Sequence, residues 1–101
     1  AAELLPVAAE KNVGVIVRVA FDEGILTGKY SAAHKFPEDD FRSRYFQGDR
    51  LTRSVERVEK IKAEFQNTTY SMPQLALKFV VAHPAVCTVI TGIRAFFRAC
   101  L

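Results

Sequence analysis

Two short apolar runs, far apart in the chain, constrain the fold more than any other feature. Residues 13–19 read Val-Gly-Val-Ile-Val-Arg-Val and residues 86–91 read Val-Cys-Thr-Val-Ile-Thr, both rich in β-branched side chains and nearly continuous in apolar character. Such runs suit parallel strands covered on both faces, whereas a half-solvated strand would alternate apolar and polar residues. Parallel neighbours need a crossover, and the chain carries two helical patterns between the runs. The expectation is an α/β unit: two parallel strands near residues 14–19 and 87–91, with intervening helices near 52–66 and 72–82. Two strands alone would leave open hydrogen-bonding edges and much apolar surface without neighbours, so the unit reads as a piece of a larger sheet or barrel.

The rest of the pattern fits that frame. Residues 3–11 read as the end of a helix, stopped by Asn12 and Gly14. Leu51, Val55, Val58, Ile61 and Phe65 recur at helical spacing. Arg53, Glu56, Arg57, Glu59, Lys60 and Lys62 form the opposite, solvated face, where Glu56 and Lys60 are placed to pair. Ser71-Met-Pro-Gln74 fits a capping box that opens the next helix, and Pro84 closes it. Between Ser31 and Asp49 the residues show no steady period, which predicts a long surface loop, and loops of that length in compact domains are often functional.

Composition excludes several classes. With 101 residues and a hydrophobic fraction of 50%, the chain can form a packed core. The formal charge of +3 is diluted by the acidic run Glu38-Asp-Asp40, and no nucleic-acid signature is visible. No apolar stretch of about 18 residues and no signal peptide is present, so nothing points to a membrane, and the default compartment is the cytoplasm. Cys87 and Cys100 fit neither a redox nor a zinc motif, and Cys87 reads as a small core residue at the start of a strand. His34 and His83 have no partner at ligand spacing and read as loop or helix-end residues. Arg18 inside the first strand is compatible with a paired carboxylate or with the mouth of a barrel.

The segment most suited to chemistry follows the first strand. Glu23-Gly-Ile-Leu-Thr-Gly-Lys-Tyr30 places Gly24 and Gly28 where backbone N–H groups could approach an anion closely, although the spacing alone also fits a plain turn. Taken with Gly14-Val-Ile-Val-Arg-Val19, Phe36-Pro-Glu-Asp-Asp-Phe-Arg42, Gln74-Leu-Ala-Leu-Lys-Phe79, His83-Pro-Ala-Val86 and Thr88-Val-Ile-Thr-Gly-Ile-Arg94, this segment resembles the C-terminal part of an aldo/keto reductase. The resemblance covers residues 1–94 and leaves 95–101 as a tail outside the family pattern.

That resemblance implies a C-terminal fragment of a (β/α)8 TIM barrel from an oxidoreductase that reduces aldehydes or ketones to alcohols with NADPH, NADH being possible. Its partners would be the nicotinamide cofactor and a small carbonyl substrate. The family's loop after the penultimate strand holds the pyrophosphate, and residues after the last strand hold the adenosine phosphate. The matching positions are Ala20, Phe21, Glu23, Gly24, Leu26 and Gly28, then Gly92 and Arg94. Arg94 is the reason to prefer NADPH, since its planar fork suits a 2′-phosphate, although a solvated charge is the alternative. The catalytic Asp, Tyr, Lys and His of the family belong to earlier strands, so no catalytic residue is assigned and Tyr30, Tyr45 and Tyr70 are not read as the proton donor.

Three departures matter. Ala20 and Phe21 stand where the family usually has Pro and Leu, and Thr91 where Pro is common. After Arg94 the family continues into a helix with Gln and Glu-Asn around the adenosine, whereas this chain reads Ala95-Phe-Phe-Arg-Ala-Cys-Leu101, as a truncated or frameshifted reading frame would. The competing expectation is a non-enzymatic remnant that associates with another barrel piece.

Overall fold

The computed structural model describes residues 1–92. Helix α1 spans Leu4–Glu10 and strand β1 spans Val15–Arg18. A 3-10 turn, Ile25–Thr27, precedes α2 (Arg42–Tyr45), α3 (Arg50–Glu64), α4 (Met72–Val81) and strand β2 (Val86–Ile90).

The local signals act as the sequence predicts. Asn12 adopts φ 54°, its N–H bonds to the Ala9 carbonyl and the Val13 N–H bonds to that of Ala8, closing α1 in a Schellman motif. Ser71 and Gln74 form the reciprocal capping box, with the Ser71 N–H on Gln74 Oε1 at 2.8 Å and the Gln74 N–H on Ser71 Oγ at 3.4 Å. His83 is the expected helix-end residue: its Nδ1 accepts from the Ala85 N–H at 3.1 Å.

The two strands pair in parallel, Ile16 opposite Thr88, Val17 opposite Val89 and Arg18 opposite Ile90, with an irregularity between Val15 and Ile16. Helix α4 packs on β2. The sheet is not covered on both faces by the described residues. Val15 and Val17 are half-buried, while Ile16 and Arg18 are exposed. Cys87 likewise corrects its expected place in the core: it is exposed, and its Sγ accepts from the Val15 N–H at 3.4 Å. Ile16 and Arg18 lie on the side of the strand pair that no described element covers, whereas Cys87 falls at the irregularity, left unmatched between Val86 opposite Val15 and Thr88 opposite Ile16.

The core sits beside the sheet rather than on it. Ile25, Phe46, Leu51 and Val58 form the buried cluster, with Leu26, Phe36, Val55 and Met72 packed around it. Residues 31–49 are therefore more than a surface loop, because Phe46 is a core residue and Phe36 stacks on it with ring centroids 5.4 Å apart. On α3 the ion pairs are Asp49 with Arg53 and Glu59 with Lys62, not Glu56 with Lys60. Phe65 caps the helix end and is half-exposed, beyond the reach of the cluster. Among the described residues no helix is long and apolar enough to cross a membrane.

Candidate functional site

Because β1 and β2 run parallel with Arg18 beside Ile90, the residues that follow each strand emerge at one end of the sheet. In α/β proteins that carboxyl end is where ligands bind. Ala20, Phe21, Glu23, Gly24, Leu26 and Gly28 follow β1 there, and Gly92 lies two residues beyond β2. Arg94 and the 95–101 tail lie outside the described residues.

The segment after β1 has an unusual backbone. Val19, Asp22 and Glu23 all have left-handed φ, at 58°, 45° and 56°, and Gly24 follows at 95°. A β-branched residue such as Val19 enters that region only under strain, and strained backbone gathers at functional sites. The loop then closes on itself. The Phe21 carbonyl accepts from the N–H groups of Gly24 and Leu26, both at 3.0 Å, and Thr27 Oγ1 donates to the Gly24 carbonyl at 2.6 Å. Gly28, at φ 73°, ends the 3-10 turn. Here glycine answers two demands at once, because a Cβ would also stand 3.1 Å from Met72 Cγ and 2.9 Å from Lys62 Cε. Ala20 is buried, Phe21, Glu23 and Leu26 are half-buried, and Gly92 is exposed with φ 70°.

Three side chains from later elements back this loop. The Arg42 guanidinium donates from Nε to both carboxylate oxygens of Asp40, from Nη2 to Oδ2, and from Nη1 to Tyr30 Oη at 3.0 Å. Those hydrogen bonds to Asp40 hold Arg42 charged well above its ordinary range, against the opposing effect of burial. A Cβ on Gly24 would meet Tyr30 Cε2 at 3.5 Å and Arg42 Nη1 at 3.6 Å, so the glycine lies directly against this pair. Tyr45 donates to Asp22 Oδ1 at 3.1 Å beneath the Arg50 guanidinium, which sits 3.7 Å from its ring centroid. Partial burial, then the hydrogen bond and negative charge of Asp22, push the Tyr45 phenol above its ordinary value, with Arg50 acting the other way. Lys62 donates to the Gly28 carbonyl at 3.0 Å and to Glu59 at 2.7 Å.

Two open depressions flank Arg42. One of about 320 Å³ is bordered by Glu23, Asp40 and Phe41, and one of about 420 Å³ by Lys29, Tyr30, His34 and Phe36. Arg18 is exposed and has no ion-pair partner among the described residues.

Sequence reasoning missed the supporting residues. Lys62 was legible in principle: it continues the spacing of Leu51, Val55 and Val58, so it falls on the inward stripe, although its charge assigns it to the solvated face. Arg42, Tyr45 and Asp22 had no such signal, because their meeting depends on how residues 31–49 fold back.

Parallel strands joined through helices, with a left-handed glycine loop at their carboxyl ends, are the arrangement of a piece of an α/β barrel. The sequence profile of the aldo/keto reductase family matches residues 1–97, and the chain belongs to that family. Among solved structures it is similar to a glycerol dehydrogenase from Gluconobacter oxydans, with a TM-score of 0.79 and 25% identity. The match covers 90% of this chain and 28% of that one, so the chain spans little more than a quarter of that relative's length. No curated protein sequence matches at a significant level.

Proposed function

We propose that residues 1–94 form the cofactor-holding part of an aldo/keto reductase that reduces aldehydes or ketones to alcohols with NADPH, followed by a tail at 95–101. The observation that carries this reading is the left-handed loop at residues 22–24, closed by Gly28, at the carboxyl end of a parallel strand. Its residues fit a dinucleotide. Gly24 and Gly28 take the left-handed backbone that turns the loop, and the N–H groups of Phe21 and Glu23 have no backbone partner among the described residues, which leaves them available to an anion.

Ala20, Phe21, Glu23, Gly24, Leu26 and Gly28 would hold the pyrophosphate, while Gly92 and Arg94 would hold the adenosine phosphate. The cofactor, when bound, supplies hydride to the carbonyl carbon. The chain's own residues orient it and exclude water on one side. Tyr45 donates its O–H to Asp22, and Tyr30, whose Oη accepts from Arg42, lies in the loop; neither stands at the position of the family's proton donor, which belongs to an earlier strand. On this reading the chain alone turns over no aldehyde, and the family's Asp, Tyr, Lys and His are required from elsewhere in the barrel.

The test is a fluorescence titration of a reconstituted full-length barrel in which this chain supplies the C-terminal part. Arg94→Ala should weaken NADPH by about 1.5–3 kcal/mol, as for a charge-assisted phosphate contact, and leave NADH nearly unchanged. Equal losses for both cofactors would remove Arg94 as the reader of the 2′-phosphate. The open apolar side of the strand pair, with Ile16 and Ile90 exposed, favours one second reading: a non-enzymatic piece whose role is to associate with other barrel strands.

A further inference from the structure

The loop that follows β1 carries its own strain. Asp22 and Glu23 hold left-handed φ values that cost free energy in any residue with a Cβ, and such a conformation persists only where surrounding contacts over-determine it. One end of the loop is fixed by the pairing of β1 with β2 and by Tyr45 on Asp22. The far end, Gly28, has no strand to hold it. Besides its turn bond to Ile25 and the packing of Met72, it is held by Lys62, from a helix 34 residues further along the chain, whose ammonium lies 3.0 Å from the Gly28 carbonyl.

The geometry is that of a fixed contact rather than a solvated lysine. Glu59, one turn back on α3, takes a second N–H of the same ammonium at 2.7 Å and so sets its direction. The Lys62 stem lies against the Gly28 backbone closely enough that a Cβ there would be 2.9 Å from Cε. Met72, the first residue of α4, closes on Gly28 from another side at 3.1 Å from the same point. An ammonium on a carbonyl is charge-assisted, stronger than a neutral hydrogen bond, and it joins the loop to a helix whose Val58 is in the core.

We propose that Lys62 is a positioning residue: steered by Glu59, it fastens the Gly28 end of the loop to α3 and thereby sets the loop shape that receives the dinucleotide phosphates. The ligand half of this inference rests on the cofactor reading above, whereas the fastening does not.

The test uses the whole chain and three variants, Lys62→Met, Lys62→Arg and, on the exposed face of the same helix, Lys60→Met. Amide hydrogen exchange is read at Thr27 and Gly28, whose N–H groups bond within the loop, and at Val58 in α3. In Lys62→Met, exchange at Thr27 and Gly28 should rise by about tenfold or more with Val58 unchanged, and NADPH affinity should fall by about tenfold. Lys62→Arg should restore most of both, and Lys60→Met should match the wild type. Loosening spread equally over loop and helix would overturn the proposal in favour of a general stability role, and so would unchanged exchange in Lys62→Met. If NADPH leaves the wild-type loop amides unmoved, the cofactor reading fails and Lys62 has no role toward that ligand, while the exchange results still decide the fastening.

Discussion

Ile25 is 3% exposed and Ile16, earlier in the same segment, is 63% exposed. The two isoleucines belong to regions that satisfy burial in different ways. Ile25 lies in a cluster closed by Phe46, Leu51 and Val58, all drawn from one continuous stretch of chain. Ile16 lies on a strand whose single neighbour is β2 and whose outward face has no cover among the described residues. The loop is thus supported by its own excursion, through Arg42, Tyr45 and Lys62, while the sheet depends on further structure, as a barrel strand does.

The largest effect that separates these regions should come from Ile25→Ala. Emptying that site should lower unfolding stability by roughly 2–4 kcal/mol, measured by urea denaturation. Gly28→Ala comes next, at about 1–2 kcal/mol, because it forces a Cβ into a left-handed position and against Met72. Ser71→Ala, which removes the cap of α4 on the sheet side, should cost about 1 kcal/mol. A loss from Ser71→Ala larger than that from Ile25→Ala would place the stabilising centre on the sheet side and break the contrast.

Tyr45 sharpens it through pH. Its phenol is raised in the folded state, so the unfolded chain loses its proton first as pH rises. The stabilisation it brings is therefore complete below about pH 10, the ordinary tyrosine value, and declines as pH climbs through the folded value. The stability difference between wild type and Tyr45→Phe should stay flat up to that point and shrink above it. Asp22→Asn should lower the phenol's titration in alkaline absorbance measurements, since it removes the charge that opposes ionisation. The smallest effect belongs to Ile16→Ala, within about 0.5 kcal/mol in the isolated chain. A loss comparable to that of Ile25→Ala would mean that the open face is covered in solution.

Much of this architecture was legible in short-range patterns. The β-branched runs, the capping box at Ser71 and the helical stop at Asn12 are local signals with local causes, and each appears where its chemistry predicts. The demand for left-handed backbone was readable at Gly24 and Gly28, but not at Val19 or Glu23, whose side chains give no hint of it. Cys87 is exposed at the irregularity in the strand pairing, a feature set by the register of two distant segments and not by the strand's own residues. Lys62 and Phe65 were exchanged in effect: the helical spacing admits both, and only the end of α3 at Glu64 and the position of Gly28 decide which one turns inward.

If residues 20–28 receive the phosphates of a nicotinamide dinucleotide, as proposed, their amides are the ones that NADPH moves. The most direct measurement is a proton–nitrogen correlation titration of the labelled chain with NADPH at low ionic strength, repeated at high salt. Shifts should be confined to the amides of residues 20–28 and those just after β2, and be weakened by salt because the contact is electrostatic. Shifts scattered over α1 and α4, or none at millimolar NADPH in a chain whose spectrum is that of a folded protein, would contradict the proposal.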